Sequence, residues 1–377
     1  MDRYGKMNTP KISVVMPTYN RANYICESID SILRQTFTEW ELIIVDDCST
    51  DDTLSIARHY EEIDNRIRVI HNETNKQLPE SLNIGFRHAR GKYLTWTSDD
   101  NWFLSRALEV MNEYLDRNDH YSMVCTGFLF VDDKKKFLYE ALPYIEQDMY
   151  TGDVVGACFM YRREVLDQMG EYDTTLFCAE DYEYWLRMLY YGKKIGYIPG
   201  VFYLYRLHDA SLAVGKADQV KEKNKRLYLK YLDWILNNIK ESPTQLMLFY
   251  SIMLKYRDIE FDDINSKFSG ICAPIIHDKE IPPGSNIILY GSGHIGGVIK
   301  NELSERVVYF ADKDKNKWGT VKEGIIILSP QDMLRKLDEG GFHLVLSVGN
   351  DKMLDVMNEL INIGVESFSV PAHVYRK

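Results

Sequence analysis

Tyr93-Leu94-Thr95-Trp96-Thr97-Ser98-Asp99-Asp100 sets an unbroken run of β-favouring residues directly before two carboxylates. Aromatic and β-branched side chains suit a pleated, buried strand, and the polar cluster marks its end. The same design occurs twice upstream. Ile12-Ser13-Val14-Val15-Met16 runs into Pro17 and then Thr18-Tyr19-Asn20, and Glu41 to Val45 runs into Asp46-Asp47. Between these strands Ile25, Ile29, Ile32 and Leu33 recur at helical spacing, and Ser49-Thr50-Asp51-Asp52 offers N-cap residues for a helix to about Ile63. A third strand over 66–71 and a helix over 78–89 complete the interval. Strands alternating with helices imply βαβ crossovers and a parallel sheet, whose ligands sit beyond the carboxyl ends of the strands. The three polar clusters therefore converge on one crevice.

The chain has 377 residues, which at roughly 150 per domain allows two or three domains. An α/β domain is read over 1–215, a helical segment and linker over 216–283, and a second, small α/β domain over 284–377. In the middle segment Leu229, Leu232, Ile235 and Leu236 form an apolar stripe, Ser242-Pro243 opens a second helix to about Arg257, and Ile281-Pro282-Pro283-Gly284 is the linker. Hydrophobic residues make up 45% and charged residues 27%, the balance of a folded globular protein. A net charge of −11 without a basic patch argues against nucleic acid as a partner. Lys134-Lys135-Lys136 is too short for such a patch and reads as a hairpin tip.

No apolar run approaches the roughly 20 residues of a membrane span, and Met1 to Pro10 has no apolar signal core. The expectation is a cytoplasmic protein, with peripheral contact at the inner face of the membrane and homo-oligomerisation left open. Six cysteines without a CxxC pair read as reduced thiols buried as small hydrophobes.

An Asp pair at a strand end is by itself a turn signal. It becomes a site for Mg²⁺ or Mn²⁺ in the right company, because these cations take one or two carboxylates plus substrate phosphates. That company is present. Lys11 to Arg21, Trp40 to Thr53 and Ala89 to Asn101 occur in order, followed by Gly156 to Arg163, Gly170-Glu171-Tyr172-Asp173 and Ala179 to Arg187. The first three blocks closely resemble the nucleotide-sugar-binding half of family 2 inverting glycosyltransferases, which have the GT-A fold. The later blocks resemble the acceptor half, and the resemblance covers about residues 10–212.

The resemblance implies roles residue by residue. Thr18, Tyr19 and Asn20 would hold the nucleoside, with Tyr19 stacking near the base. Asp47 would accept the uracil N–H, which favours a UDP-sugar donor, and Lys76 would reach the base or diphosphate. Asp99 would face the ribose or the metal, Asp100 would coordinate a divalent metal, and His208 in Tyr205-Arg206-Leu207-His208 would close over the diphosphate or metal. Asp181 would be the general base for an acceptor hydroxyl on a saccharide, lipid-linked or other molecule. Asp46 alternates away from Asp47 and reads as structural. The metal motif departs from Asp-x-Asp by carrying Ser98 at its first acidic position. The Gln-x-x-Arg-Trp motif of processive members is missing too, so transfer of a single sugar is expected, in surface polysaccharide or glycoconjugate assembly.

In the last domain Gly291-x-Gly293-x-x-Gly296 follows a strand and opens a helix, and Asp312 ends the next strand. This matches the Rossmann dinucleotide fingerprint, with Asp312 at the ribose position, in a unit too short for a complete dehydrogenase. Binding of a nucleotide there and a packing role are both open. Two other function classes compete with transfer: an NAD-dependent sugar-nucleotide oxidoreductase centred on this loop, and a catalytically silent binding protein.

Overall fold

The computed structural model describes residues 9–142, 149–208, 217–239, 284–348 and 350–365, with short pieces at 249, 252–253, 275–277 and 368–370. The chain divides into two compact units, 1–230 and 231–377.

The first unit is built on one mixed sheet. Its strands are β1 (Ile12–Thr18), β2 (Trp40–Asp46), β3 (Ile67–His71), β4 (Tyr93–Trp96), β5 (Trp102–Phe103), β6 (Met123–Asp132), β7 (Phe137–Ala141), β8 (Phe159–Arg162) and β9 (Ile195–Leu207). The order is β3-β2-β1-β4-β8-β6-β9-β5, with β7 folding back on β6. Lys134, Lys135 and Lys136 lie in the β6–β7 turn, as the sequence reading expects. The first four strands are parallel and joined by the helices Ile25–Leu33, Thr53–Ile63 and Gln77–His88. Every residue of β1 and β2 is buried, which is what an unbroken apolar run requires of strands covered on both faces.

Register carries the functional loops to one edge. Thr18 lies opposite Asp46, and Val15 opposite Trp96. Residues 19–20, Asp47 and 99–100 thus leave the sheet on the same side. β6 and β9 run parallel to Asp132 opposite Leu207. The helix Thr53–Ile63 is anchored there by Asp51, whose carboxylate accepts the Thr53 amide at 3.0 Å and the Ala22 amide at 3.2 Å.

A buried polar clamp holds the opposite end of the sheet. Glu41 Oε1 accepts Ser13 Oγ at 2.6 Å and the Arg90 amide at 2.6 Å, while Oε2 accepts Arg90 Nε at 2.9 Å. Ser13 Oγ accepts the Gly91 amide at 2.8 Å. A buried carboxylate persists there because every oxygen has a donor.

The second unit contains β10 (Ile275–His277), β11 (Asn286–Tyr290), β12 (Val307–Ala311), β13 (Val321–Lys322), β14 (Ile325–Leu328), β15 (Phe342–Leu346) and β16 (Phe368–Val370). Their order is β10-β16-β15-β11-β12-β14-β13, parallel except for β13. Counted from β11, strands β14, β12, β11, β15 and β16 reproduce the 3-2-1-4-5 order of doubly wound nucleotide folds. The helix Pro330–Asp338 starts on Ser329, whose Oγ caps the Asp332 amide at 3.1 Å.

Two expectations need correction. In the helix Ala217–Ile239, Leu232, Ile235 and Leu236 are buried but Leu229 is exposed; Leu227 and Tyr228 occupy the buried side instead. Of the cysteines, Cys125 and Cys158 are buried, whereas Cys26 is exposed and Cys48 and Cys178 are partly so. The Ser242-Pro243 helix start, the Ile281–Pro283 part of the linker and Cys272 lie outside the described residues.

Gly91 gives a test of this packing. A Cβ there would stand 2.6 Å from the Ser13 nitrogen and 2.8 Å from the Ile12 carbonyl carbon, backbone atoms of the central strand. Gly91→Ala is expected to lower unfolding free energy by about 1–3 kcal/mol, read as a reduced urea midpoint at unchanged slope.

Candidate active site

Asp99 and Asp100 sit just past β4 and are only 6% and 8% exposed. Asp99 Oδ2 accepts the Tyr19 amide at 3.3 Å. Ser98 Oγ donates to Asp100 Oδ1 at 2.6 Å, and His208 Nε2 lies 3.0 Å from Asp100 Oδ2. Arg21 Nε stands 3.7 Å from Asp99 and 3.9 Å from Asp100, too far for a strong bond to either. Burial and then the neighbouring charge of Asp100 push the Asp99 carboxyl up to about 7. Ser98, which breaks the acidic motif, here serves as a hydrogen-bond donor to the second carboxylate.

His208 is held from behind. Its ring stacks on Tyr24 with centroids 4.7 Å apart. The Arg206 guanidinium lies over Tyr24 at 4.7 Å and over Trp102 at 4.8 Å, and also pairs with Glu27. The Arg206 amide donates to Asn101 Oδ1 at 2.7 Å, so the end of β9 is pinned to the loop that carries the acidic pair.

The expected nucleoside residues line the edges of β1 and β2. Thr18 is buried and Tyr19 is exposed. Asn20 Oδ1 accepts the Thr50 amide at 2.8 Å, joining the two loops. Asp47 Oδ1 accepts Asn72 Nδ2 and the Lys76 amide, both at 2.8 Å, and Oδ2 accepts the Gln77 amide at 2.8 Å. Each carboxylate oxygen takes two donors, so Oδ2 has room for one more. Lys76 meets Asp47 through its backbone, and its side chain is exposed. Asp46 bonds His71 Nδ1 at 2.7 Å and the Ser49 amide at 3.3 Å, the structural part expected of it.

Asp181 occupies the first turn of the helix Glu180–Tyr190, where the helix dipole favours an anion. Its Oδ1 accepts the Tyr182 amide at 2.7 Å, and burial raises its pKa. Burial and then the charges of Asp100 and Asp181 raise the Tyr205 phenol. A single β9 side chain therefore feels the acidic pair and the helix-borne carboxylate together, although they lie far apart in sequence. Among the described residues six non-glycine residues have positive φ, and Asn20 (54°), Cys48 (69°), Gln77 (69°) and Cys178 (76°) are on loops around this site. Backbone held in that region is a mark of functional sites.

Arg21, Tyr24 and Arg206 were not singled out from the sequence. Each lies beside a motif residue, but only the fold turns them toward the carboxylates. Asp153 was also missed, since no motif surrounds it.

The donor set suits a hard divalent cation. Two crowded carboxylates and an imidazole leave one negative charge poorly compensated, and such cations complete their shell with substrate phosphates. Among the described residues no group of three or more acidic, His or Cys side chains forms a ready-made cage.

In the second unit Gly291 has φ 110°, and a Cβ on Gly296 would stand 2.2 Å from the Gly291 oxygen, while Gly293 faces open space. These are the turn, packing and access roles of the fingerprint glycines. Asp312 is already engaged: Ser292 and Lys317 Nζ, the latter at 2.8 Å, bond Oδ2, and the Asp314 amide bonds Oδ1 at 3.0 Å. Burial opposes ionisation, but these donors win and hold the carboxyl down at about 2. Lys322 Nζ caps the Ser292 and Gly293 carbonyls at 2.6 and 2.7 Å.

The family profile of Glycosyl transferase family 2 matches residues 13–170. Bacillus subtilis TuaG, named as a teichuronic acid biosynthesis glycosyltransferase, is 30% identical over 219 residues, covering 56% of this chain and 85% of TuaG. The chain belongs to glycosyltransferase family 2. Bacillus subtilis EpsE, named as a glycosyltransferase, is 44% identical over 125 residues, 33% of this chain and 45% of EpsE. Staphylococcus aureus TarS superposes with a TM-score of 0.51 at 20% identity, covering 67% of this chain and 46% of TarS. The chain thus spans under half the length of EpsE and of TarS. The mixed sheet is the GT-A fold expected from the motifs. No described helix is long and apolar enough to cross a membrane.

The crowding at Asp99 has a sign that can be checked. Its folded pKa is raised, so the unfolded chain ionises first and stability falls as pH climbs from about 4 towards about 7. Asp99→Asn should therefore melt above the wild type at pH 8, with the difference vanishing near pH 4 in metal-free thermal scans.

Proposed function

We propose that this glycosyltransferase moves one sugar from a UDP-sugar to an acceptor hydroxyl with inversion, assisted by a divalent cation, in surface polysaccharide or glycoconjugate assembly. The observation that carries the reading is Tyr205, which feels the charges of both Asp100 and Asp181. A donor-side acidic pair and an acceptor-side base at one locus are what single displacement needs.

Thr18, Tyr19 and Asn20 hold the nucleoside, and the spare capacity of Asp47 Oδ2 fits the uracil N–H. Lys76 lies at the rim, where its ammonium can reach an incoming phosphate. Asp99, Asp100 and His208 hold the cation, Mg²⁺ or Mn²⁺, which when bound stabilises the negative charge on the departing diphosphate. Asp181 removes the proton of the attacking hydroxyl. The helix N-terminus keeps it ionised for that task, and partial burial keeps it basic. One base suffices for inversion, and no carboxylate nucleophile is required. The TuaG relationship supports a surface polysaccharide setting.

The glycine loop of the second unit gives less support to an oxidoreductase, because both oxygens of Asp312 already bond Ser292, Lys317 and the Asp314 amide.

The test is UDP release across a panel of UDP-sugars with Mn²⁺ or Mg²⁺. One donor is expected to give metal-dependent release. Asp181→Asn should reduce turnover by about 10²–10⁴-fold, and Asp100→Asn should weaken the metal response. Release that ignores both substitutions would overturn the assignment.

A further inference from the structure

We propose that Asp153 is the neutral partner of Asp181, a carboxylic acid that donates a hydrogen bond to a substrate oxygen while Asp181 stands ionised as the base. This rests on the assignment of Asp181 above.

The geometry starts with the segment that precedes β8. Tyr182 Oη donates to the Met149 carbonyl at 2.8 Å, and Tyr228 Oη donates to the Thr151 carbonyl at 3.0 Å. Tyr182 is the next residue after Asp181, so the turn that carries the base also grips the Asp153 segment. Gly156 closes that segment with φ 70°, and a Cβ there would fall 2.1 Å from the Phe128 ring. Asp153 Oδ1 accepts the Val155 and Gly156 amides at 3.0 and 3.4 Å. Oδ2 of Asp153 and Oδ2 of Asp181 have no partner among the described residues. Asp153 is also open to solvent, so a substrate can approach it.

Asp181 is faced by Glu180 on its own helix, by Tyr172 from the preceding turn, by Tyr205 on β9 and by Asp153. Asp153 is faced by Asp181 and the Cys125 thiol. None of these is a cation. Glu180, 3% exposed, leaves Oε2 unpartnered, so the locus holds more acid oxygen than its own donors satisfy.

Two carboxylates that repel without a cation between them cannot both ionise near neutrality. The helix N-terminus selects Asp181 as the ionised member, whereas Asp153 has two amides on one oxygen and no helix dipole. Burial and then the charge of Asp181 push Asp153 up to about 8. Paired groups whose proton affinities are driven apart are the mark of an acid and a base working together. Oδ2 of Asp153 then carries the proton and points it at a ligand oxygen.

The experiment is the pH dependence of kcat and kcat/KM for metal-saturated UDP release by the full chain. Wild-type activity should fall as pH rises through about 8, where Asp153 ionises and loses its donor. Asp153→Asn keeps a donor and cannot ionise; it should retain activity within about threefold at neutral pH and lose the alkaline limb. Asp153→Ala should lose about tenfold or more in kcat/KM. An alkaline limb that persists in Asp153→Asn would assign it to Glu180 or another group and overturn the proposal. If that variant does not fold, Asp153→Ser takes its place. Infrared difference spectra of the ligand-free protein between about pH 6 and 10 then report whether a protonated-carboxyl band is lost in wild type and missing in the variant. Full activity in Asp181→Asn would instead sink the base assignment itself, a result separate from failure of Asp153.

Discussion

Repulsion between carboxylates organises this molecule. Asp99 stands against Asp100 past β4, and Asp181 stands against Glu180 and Asp153 at the start of a helix. Water would screen such charges, but Asp99, Asp100 and Glu180 are nearly sealed from it. The folded protein therefore stores unfavourable electrostatics at one edge of its sheet. A site of this kind gains most when a cation or a reacting proton arrives, because either relieves the crowding.

The cost is sustained by rigid surroundings. At the far end of β1 and β2, Glu41 has a donor on each oxygen and locks Ser13, Arg90 and Gly91 together. At the near end, Arg206 spreads over Tyr24 and Trp102 and Tyr24 stacks on His208. These contacts place a histidine from the end of β9 against a carboxylate just past β4, which no local preference would achieve. Tyr182 and Tyr228 do the same for the Asp153 segment.

The second unit handles a similar problem in the opposite way. Its one prominent carboxylate, Asp312, is surrounded by Ser292, Lys317 and a backbone amide and is held strongly ionised. A carboxylate satisfied within its own loop is built for stability, whereas the crowded acids of the first unit are built for chemistry.

The sequence by itself determined the strands, their parallel order and the identity of the motif residues. Alternating apolar runs and helical spacings are local patterns, and a strand buried on both faces confines polar clusters to the loop past its carboxyl end. Asp99, Asp100, Asp47 and Asp181 were legible for that reason. Other features were not. Leu229 was read as buried and is exposed, because which face of a helix packs depends on what packs against it. Lys76 was read through its ammonium, yet its amide makes the contact with Asp47. Arg21, Arg206 and Asp153 act for the most part through neighbours distant in the chain, and pairing across such distances is decided by register and burial. Only the tertiary structure could decide which carboxylates repel one another, because proton affinity depends on solvent exclusion and on charges brought close by folding.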